Sequence, residues 1–315
     1  MPFISVVTAC YNEEQNVAEL HRQVREVVQS LPPRAGEPYT WEHLFIDNAS
    51  SDRTLEILRG ICAEDKRVKV IVNTRNFGHI RSPFHGLLEA RGDAVISIVA
   101  DLQDPPEMVR EFVARWEEGY KVVVGVKKES LERKSMFFVR TLYYRILGRL
   151  SDVPLIENFT GFGLYDRVVM AKLREIDDPY PYFRGLICDL GYDRVEVPYV
   201  QPSRSRGITK NNFYSLYDMA MLGITNHSKV PLRLAAMAGF ALSIIALLVA
   251  VVYLVLKLAM WSTFNLGLAP LVIGVYFFGS VQLFFIGVLG EYILSIHTQV
   301  YHRPLVVEKE RINFD

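Results

Sequence analysis

Cysteine is scarce in this chain, and its scarcity excludes two classes at once. Cys10, Cys62 and Cys188 are the only three in 315 residues, they are scattered, and none forms a C-x-x-C pair. A disulfide framework and a cysteine-rich zinc site are both excluded, and a reducing compartment is expected. Net charge is missing too: Lys+Arg 35 balance Asp+Glu 35, which argues against nucleic acid as the main partner. No basic leader or small-residue cleavage site accompanies the apolar run Phe3 to Cys10, so a signal peptide is not expected and the first strand should start almost at Met1. There is no internal repeat. Gly161-x-Gly163 lacks the third glycine and the strand-to-helix context of a dinucleotide fingerprint.

What the chain does have is apolar residues, at 50 %, enough for an ordinary globular domain joined to something else. From Phe3 to about Val126 short apolar runs alternate with amphipathic stretches, the pattern of βαβ units around a mostly parallel sheet. Strands are expected at Ile4 to Ala9, His43 to Asp47, Val68 to Asn73, Val95 to Ala100 and Val122 to Val126. Helices are expected over Asn16 to Leu31, where Val17, Leu20, Val24, Val27 and Val28 share one face before Pro32-Pro33, and over Ser51 to Ala63.

The ends of the first four strands are polar. Tyr11, Asn12, Glu13 and Glu14 follow the first, Asp47, Asn48 and Ser50 the second, Asn73, Arg75, Asn76 and Gly78 the third, and Asp101, Gln103 and Asp104 the fourth. Each alone would be an ordinary turn or cap; together they line the carboxyl edge of a sheet, where open α/β folds bind ligands. Asp101, Gln103 and Asp104 offer two carboxylates and an amide oxygen ahead of Pro105-Pro106. Hard cations such as Mg2+ or Mn2+ accept such oxygens and share themselves with phosphates. An acidic turn capping a helix would read the same way, and spacing alone leaves both open.

Val6-Val7-Thr8-Ala9-Cys10-Tyr11-Asn12-Glu13-Glu14, Phe45-Ile46-Asp47-Asn48-Ala49-Ser50-Ser51-Asp52, Asn73-Thr74-Arg75-Asn76-Phe77-Gly78 and Ala100-Asp101-Leu102-Gln103-Asp104-Pro105-Pro106-Glu107, in that order, resemble the inverting family 2 glycosyltransferases of the GT-A fold. Within them the chain is most similar to the polyprenyl-phosphate enzymes, bactoprenol glucosyltransferases and dolichyl-phosphate mannose synthases. The resemblance implies an α/β GT-A domain in which Thr8, Tyr11, Asn12, Glu13, Asp47 and Asn76 hold the donor nucleotide. Asp101 and Gln103 would bind the metal, and Asp101, Gln103 and Asp104 would form the catalytic cluster. Two departures stand out. Val99 occupies the position of the first Asp in the usual Asp-Ala-Asp-Leu-Gln, which weakens the metal set or leaves Asp104 to complete it. Asp47-Asn48 replaces the usual pair of acids, which opens the donor-base preference.

Cations follow. Lys127-Lys128, Arg133-Lys134, Arg140, Arg145 and Arg149 are interleaved with Met136, Phe137, Leu142 and Tyr143, a basic, aromatic pattern that fits a membrane-surface helix over about 130–150 or, alternatively, a solvated helix face. Arg204, Gly207, Thr209 and Lys210 make a compact oxyanion cradle after the strand-like Val195 to Tyr199, or else a charged linker. The resemblance implies that this segment, Arg204, Gly207, Thr209 and Lys210, is an ordered loop over the donor and lipid phosphates; with Lys127, Arg133 and Arg140 of the basic stretch these are the expected acceptor-phosphate residues. A second surface helix is expected over 211–228.

Two charge-free apolar stretches come next, Leu234 to Leu256 and Leu268 to Gly290, each longer than the ~20 residues that cross a bilayer core. Transmembrane helices are expected at about 232–257 and 267–292. Lys229 and Arg233 precede the first, and Arg303, Lys309 and Arg311 follow the second, which places the catalytic domain and both termini in the cytoplasm. The expected layout is a GT-A domain over 1–228, a two-helix hairpin over 229–296 and a cytoplasmic tail over 297–315, in an inner membrane. The expected reaction is transfer of a hexose, glucose from UDP-glucose, to undecaprenyl phosphate with inversion and a divalent metal. Mannose from GDP-mannose is the nearest alternative. A processive polysaccharide synthase would carry Gln-x-x-Arg-Trp, whereas Phe112 stands before Arg115-Trp116; a non-catalytic membrane scaffold is the third reading. The glycines of the spans, Gly239, Gly274, Gly279, Gly287 and Gly290, would permit a homo-oligomer.

Overall fold

The computed structural model describes residues 1–34, 36–129, 156–202, 221–223, 225, 228–260 and 268–314. The expected surface helices at 130–150 and 211–228, with Arg133, Arg140, Arg204, Gly207, Thr209 and Lys210, lie outside the described residues or nearly so.

The described chain runs β1 (Phe3–Cys10), α1 (Val17–Gln29), β2 (Thr40–Asp47), α2 (Thr54–Glu64), β3 (Val68–Asn73), α3 (Gly78–Glu89), β4 (Ala94–Ser97), α4 (Met108–Glu117), β5 (Val122–Glu129), β6 (Phe159–Asp166), α5 (Arg167–Glu175), α6 (Phe183–Asp189), β7 (Arg194–Val200), α7 (Val230–Ala259), α8 (Leu268–Val300) and β8 (Glu308–Ile312). One eight-stranded sheet has the order β7-β5-β6-β4-β1-β2-β3-β8. β3, β2, β1 and β4 are mutually parallel, and β6 and β8 enter antiparallel.

The parallel strands read as unbroken apolar runs because helices cover both faces. Ile4 and Val6 of β1 pack with Leu20, Val24 and Val27 of α1 and Phe112 of α4, while Val7 turns to Phe84 and Leu87 of α3. α1 forms where it does because Val17, Leu20, His21, Val24, Val27 and Val28 recur at helical spacing and are all buried.

Two expectations are corrected. β4 ends at Ser97 rather than Ala100: the Ile98 amide still donates to the Val7 carbonyl at 3.0 Å, but the Val99 amide turns to the Asp104 carboxylate at 3.4 Å and leaves the ladder. The second apolar helix does not stop near residue 292 but continues to Val300, where Gln299 donates to Asp178 at 2.9 Å and Tyr292 to the Ser228 carbonyl at 2.8 Å. Within the expected tail, 297–315, lies a strand that the sequence did not announce, β8, paired with β3 in the register Val70–Ile312 and Val72–Glu310.

α7 and α8 are long and apolar enough to cross a membrane, and the windows that qualify them are unburied. Gly163 shows why the glycines of β6 are needed. A Cβ there would lie 2.4 Å from the Val123 carbonyl oxygen, so only glycine lets β5 and β6 approach.

Candidate active site

The carboxyl ends of β1, β2, β3 and β4 meet at a cavity of about 410 Å³ lined by Ala9, Tyr11, Glu13, Asn48, Asn76, His79 and Val99, among others. Asn48 knits the loops together. Its amide donates to Asn76 Oδ1 at 2.9 Å and to the Gly78 carbonyl at 3.2 Å. Its Oδ1 accepts from Asn73 Nδ2 at 3.1 Å and from the Phe77 amide at 2.9 Å. One buried side chain therefore fixes both loops, at a position expected only as one of the polar strand ends.

The first two loops are tied in the same manner. Asn12 Oδ1 accepts from the Ser51 amide at 2.8 Å, its own amide donates to Ser50 Oγ at 2.9 Å, and Glu13's amide donates to Thr54 Oγ1 at 2.8 Å. Asn12, Ala49 and Leu102 hold positive φ of 54°, 60° and 60°, so three strand-end loops each carry one left-handed residue. For Ala49 and Leu102 this strain costs about 1–2 kcal/mol apiece.

Of the expected donor residues, Tyr11, Glu13 and Asn76 line the cavity. Asn12 shapes it from behind. Asp47 is fully buried at the end of β2; its Oδ2 accepts from the Ser50 amide at 3.2 Å, and its Oδ1 has no hydrogen-bond partner among the described residues. Burial pushes its carboxyl above the usual range. Thr8 is also fully buried, 3.1 Å from His43 Nε2. Val7, Ala9 and Cys10 of β1 line the cavity, and Thr8 is not among its lining residues.

In the fourth loop the Gln103 amide donates to Asp101 Oδ1 at 3.1 Å, and Asp101 and Gln103 are both partly exposed. Asp104 is different, only 2 % exposed. Its Oδ1 accepts from the Tyr199 hydroxyl at 2.9 Å and its Oδ2 from the Val99 amide. Burial pushes this carboxyl up to about 6, against the pull of Tyr199 and Lys127, with Asp101 adding to the rise. Asp104 thus braces the loop from below, and Lys127 on β5 faces it. Val99 is 42 % exposed, one of several apolar side chains that line the cavity.

His79 and Tyr199 escaped the sequence reading as site residues, and Asn48 was read as a polar strand end but not as a hub. His79 follows a glycine at positive φ and could have been noticed on that account; Tyr199 carries no local signal.

The model of "Glycosyl transferase family 2" matches residues 5–174. "Uncharacterized glycosyltransferase YkcC" of Bacillus subtilis (strain 168) is 35 % identical over 96 % of this chain and 92 % of its own. A "Bactoprenol glucosyl transferase" of Shigella phage SfV is 32 % identical over 97 % of this chain and 98 % of its own. Among solved structures, glucosyl-3-phosphoglycerate synthase from Mycobacterium tuberculosis, in complex with uridine diphosphate, superposes with a TM-score of 0.47 at 20 % identity over 71 % of this chain and 78 % of that one. With strand-end loops converging on one cavity and relatives matched from end to end, this chain belongs to the family 2 glycosyltransferases.

Proposed function

We propose that the protein transfers glucose from UDP-glucose to a polyprenyl phosphate of the undecaprenyl type, inverting the anomeric carbon, at the cytoplasmic face of a bacterial inner membrane. The observation that carries this reading is the similarity to bactoprenol glucosyl transferases over 97–98 % of the chain, which takes in both apolar helices as well as the cavity.

Hard oxygen donors suit a divalent cation, and Asp101 and Gln103 supply a carboxylate and an amide in a partly exposed loop, so this donor set fits Mg2+ or Mn2+. Bound there, the ion would neutralise charge on the departing nucleoside diphosphate. The protein's own groups do the rest. Tyr11, Glu13 and Asn76 bound the donor cavity, and the unmatched Asp47 Oδ1 supports an O–H or N–H donor from the nucleotide at that end. A lipid phosphate, with a second pKa of about 6, is already ionised at neutral pH and needs no general base. Asp104, committed to Tyr199 and Val99, is accordingly a brace in this reading rather than a base. What the acceptor requires is cationic positioning, which Lys127, Arg133, Arg140, Arg204 and Lys210 supply, with the Thr209 hydroxyl and the Gly207 backbone as neutral donors beside them.

The pairing of β8 supports a hairpin topology. Because β8 pairs with β3, the chain leaves the sheet's domain before α7 and returns to it after α8. An even number of crossings satisfies that closure, with Lys229 and Arg233 entering and Arg303 leaving on one side.

The test is transfer of radiolabelled sugar from UDP-glucose, and in parallel from GDP-mannose, to undecaprenyl phosphate by the purified full chain, with and without chelator. A chelator-sensitive lipid product from UDP-glucose is expected. Label only from GDP-mannose would replace the donor, and label entering polymer or none transferred would overturn the lipid-phosphate reading.

A further inference from the structure

Beside the donor cavity three arginines gather where the chain leaves α8. Arg75 lies over the Phe77 ring at 4.0 Å and donates to the Asn76 carbonyl at 3.1 Å. Arg81 approaches the same ring at 5.5 Å and donates through Nη2 to the Pro304 carbonyl. Arg303, the neighbour of Pro304, lies over Tyr301 at 4.6 Å.

The carboxylates of this edge are engaged elsewhere: Glu310 with Arg59, and Glu89 and Glu308 with Arg311. Among the described residues, none of the three arginines forms an ion pair. The groups that act on the Arg81 guanidinium are Arg75, Tyr180 and Arg303, and burial and the two like charges hold it below its ordinary range. Its Nε is buried with no hydrogen-bond partner among the described residues. A donor left unmatched inside a cluster of one sign is the signature of a missing anion, since both the orphaned N–H and the mutual repulsion are relieved by one oxyanion.

We propose that Arg75, Arg81 and Arg303 form a second oxyanion site that takes a phosphate group, apart from the donor and acceptor phosphates. Guanidinium forks suit the paired oxygens of a phosphate, and rings beneath two of them hold their planes. The location fits either a membrane lipid headgroup, because Arg303 is three residues past the end of α8, or a soluble phosphate, because Asn76, Gly78 and His79 of the same loop line the donor cavity. The proposal does not depend on which sugar is transferred or to what acceptor.

Amide hydrogen exchange of the full chain in nanodiscs tests it, followed over residues 74–82 and 301–306. One arm adds phosphatidylglycerol to discs of phosphatidylcholine; the other adds inorganic phosphate to phosphatidylcholine discs alone. Slowing of both segments by about tenfold is expected in one arm at least, the scale of one charged hydrogen bond. It should vanish in the double variant R75Q/R303Q, which leaves the Arg81–Pro304 bond intact. Slowing in the lipid arm only identifies a headgroup; slowing with inorganic phosphate identifies a soluble ligand. No slowing in either arm, or undiminished slowing in R75Q/R303Q, overturns the site.

Discussion

Replacing Tyr199 by Phe removes one oxygen from the interior and isolates a charge. The lost bond is the 2.9 Å hydroxyl contact to Asp104 Oδ1, between groups 6 % and 2 % exposed. The remaining partner, the Val99 amide at 3.4 Å, is too long to compensate. A hydrogen bond to a buried charged group is worth about 2 kcal/mol, which for a domain of this size lowers the thermal midpoint by roughly 4–8 °C. The loss depends on pH. Asp104 titrates at about 6 in the fold, above the usual ~3.9 of an unfolded Asp. The fold therefore holds the proton more tightly than the unfolded chain, and the charged carboxylate subtracts stability above pH 6, a loss relieved as pH falls through 6 toward 4. At pH 5 the carboxyl is mostly protonated and Tyr199 donates to a neutral group, worth about 1 kcal/mol. Tryptophan fluorescence of the full chain in detergent should show a drop in Y199F at pH 8 about twice that at pH 5, whereas in a D104N background, where the acceptor is neutral at every pH, adding Y199F should cost only the smaller drop at both pH values. Equal drops at both pH values would refute the charged-brace assignment.

Other perturbations probe separate parts of the molecule. Asp101→Asn should abolish divalent-ion binding measured by titration calorimetry and cut transfer at least about 100-fold, with the thermal midpoint nearly unchanged. Gly163→Ala should destabilise by about 3 kcal/mol, since the new Cβ meets the Val123 carbonyl at 2.4 Å; a denaturation midpoint equal to that of the native chain would contradict the close approach. His21, buried and 3.2 Å from His43, titrates at about 4, held below its ordinary 6.5 chiefly by burial, with Arg25 also lowering it. Its contribution to stability is complete above pH 6.5 and lost as pH falls toward 4, so His21→Gln should flatten the acid limb of stability against pH.

The parallel centre of the sheet was legible because burial on both faces writes a strand as a continuous apolar run, as in Val68 to Asn73, where expected and observed bounds coincide. β6 was not, because Gly161 and Gly163 look like loop residues until the 2.4 Å approach to Val123 explains them. β8, Glu-Lys-Glu-Arg-Ile, is too charged to read as a strand, and its pairing partner lies some 240 residues earlier. In the cavity, the exposed polar ends Tyr11, Glu13 and Asn76 were legible as strand-end loops. Asn48 as the hub and Tyr199 as the support of Asp104 were not, because each acts through a contact distant in sequence. Thr8, buried against His43, lies beside the cavity rather than in its lining, a difference that its position at the strand end did not reveal.

The closure of the sheet by β8 also fixes an order of events during synthesis. Strand β8 emerges only after both apolar helices have left the ribosome, so β3 stays an open edge, with unpaired amides and carbonyls, until β8 arrives. The parallel half can collapse as it is made, but its rim is completed last. A chain cut short before β8 would carry an exposed β3 edge, available for pairing with another copy, so the closing of this edge is the final step in building the sheet.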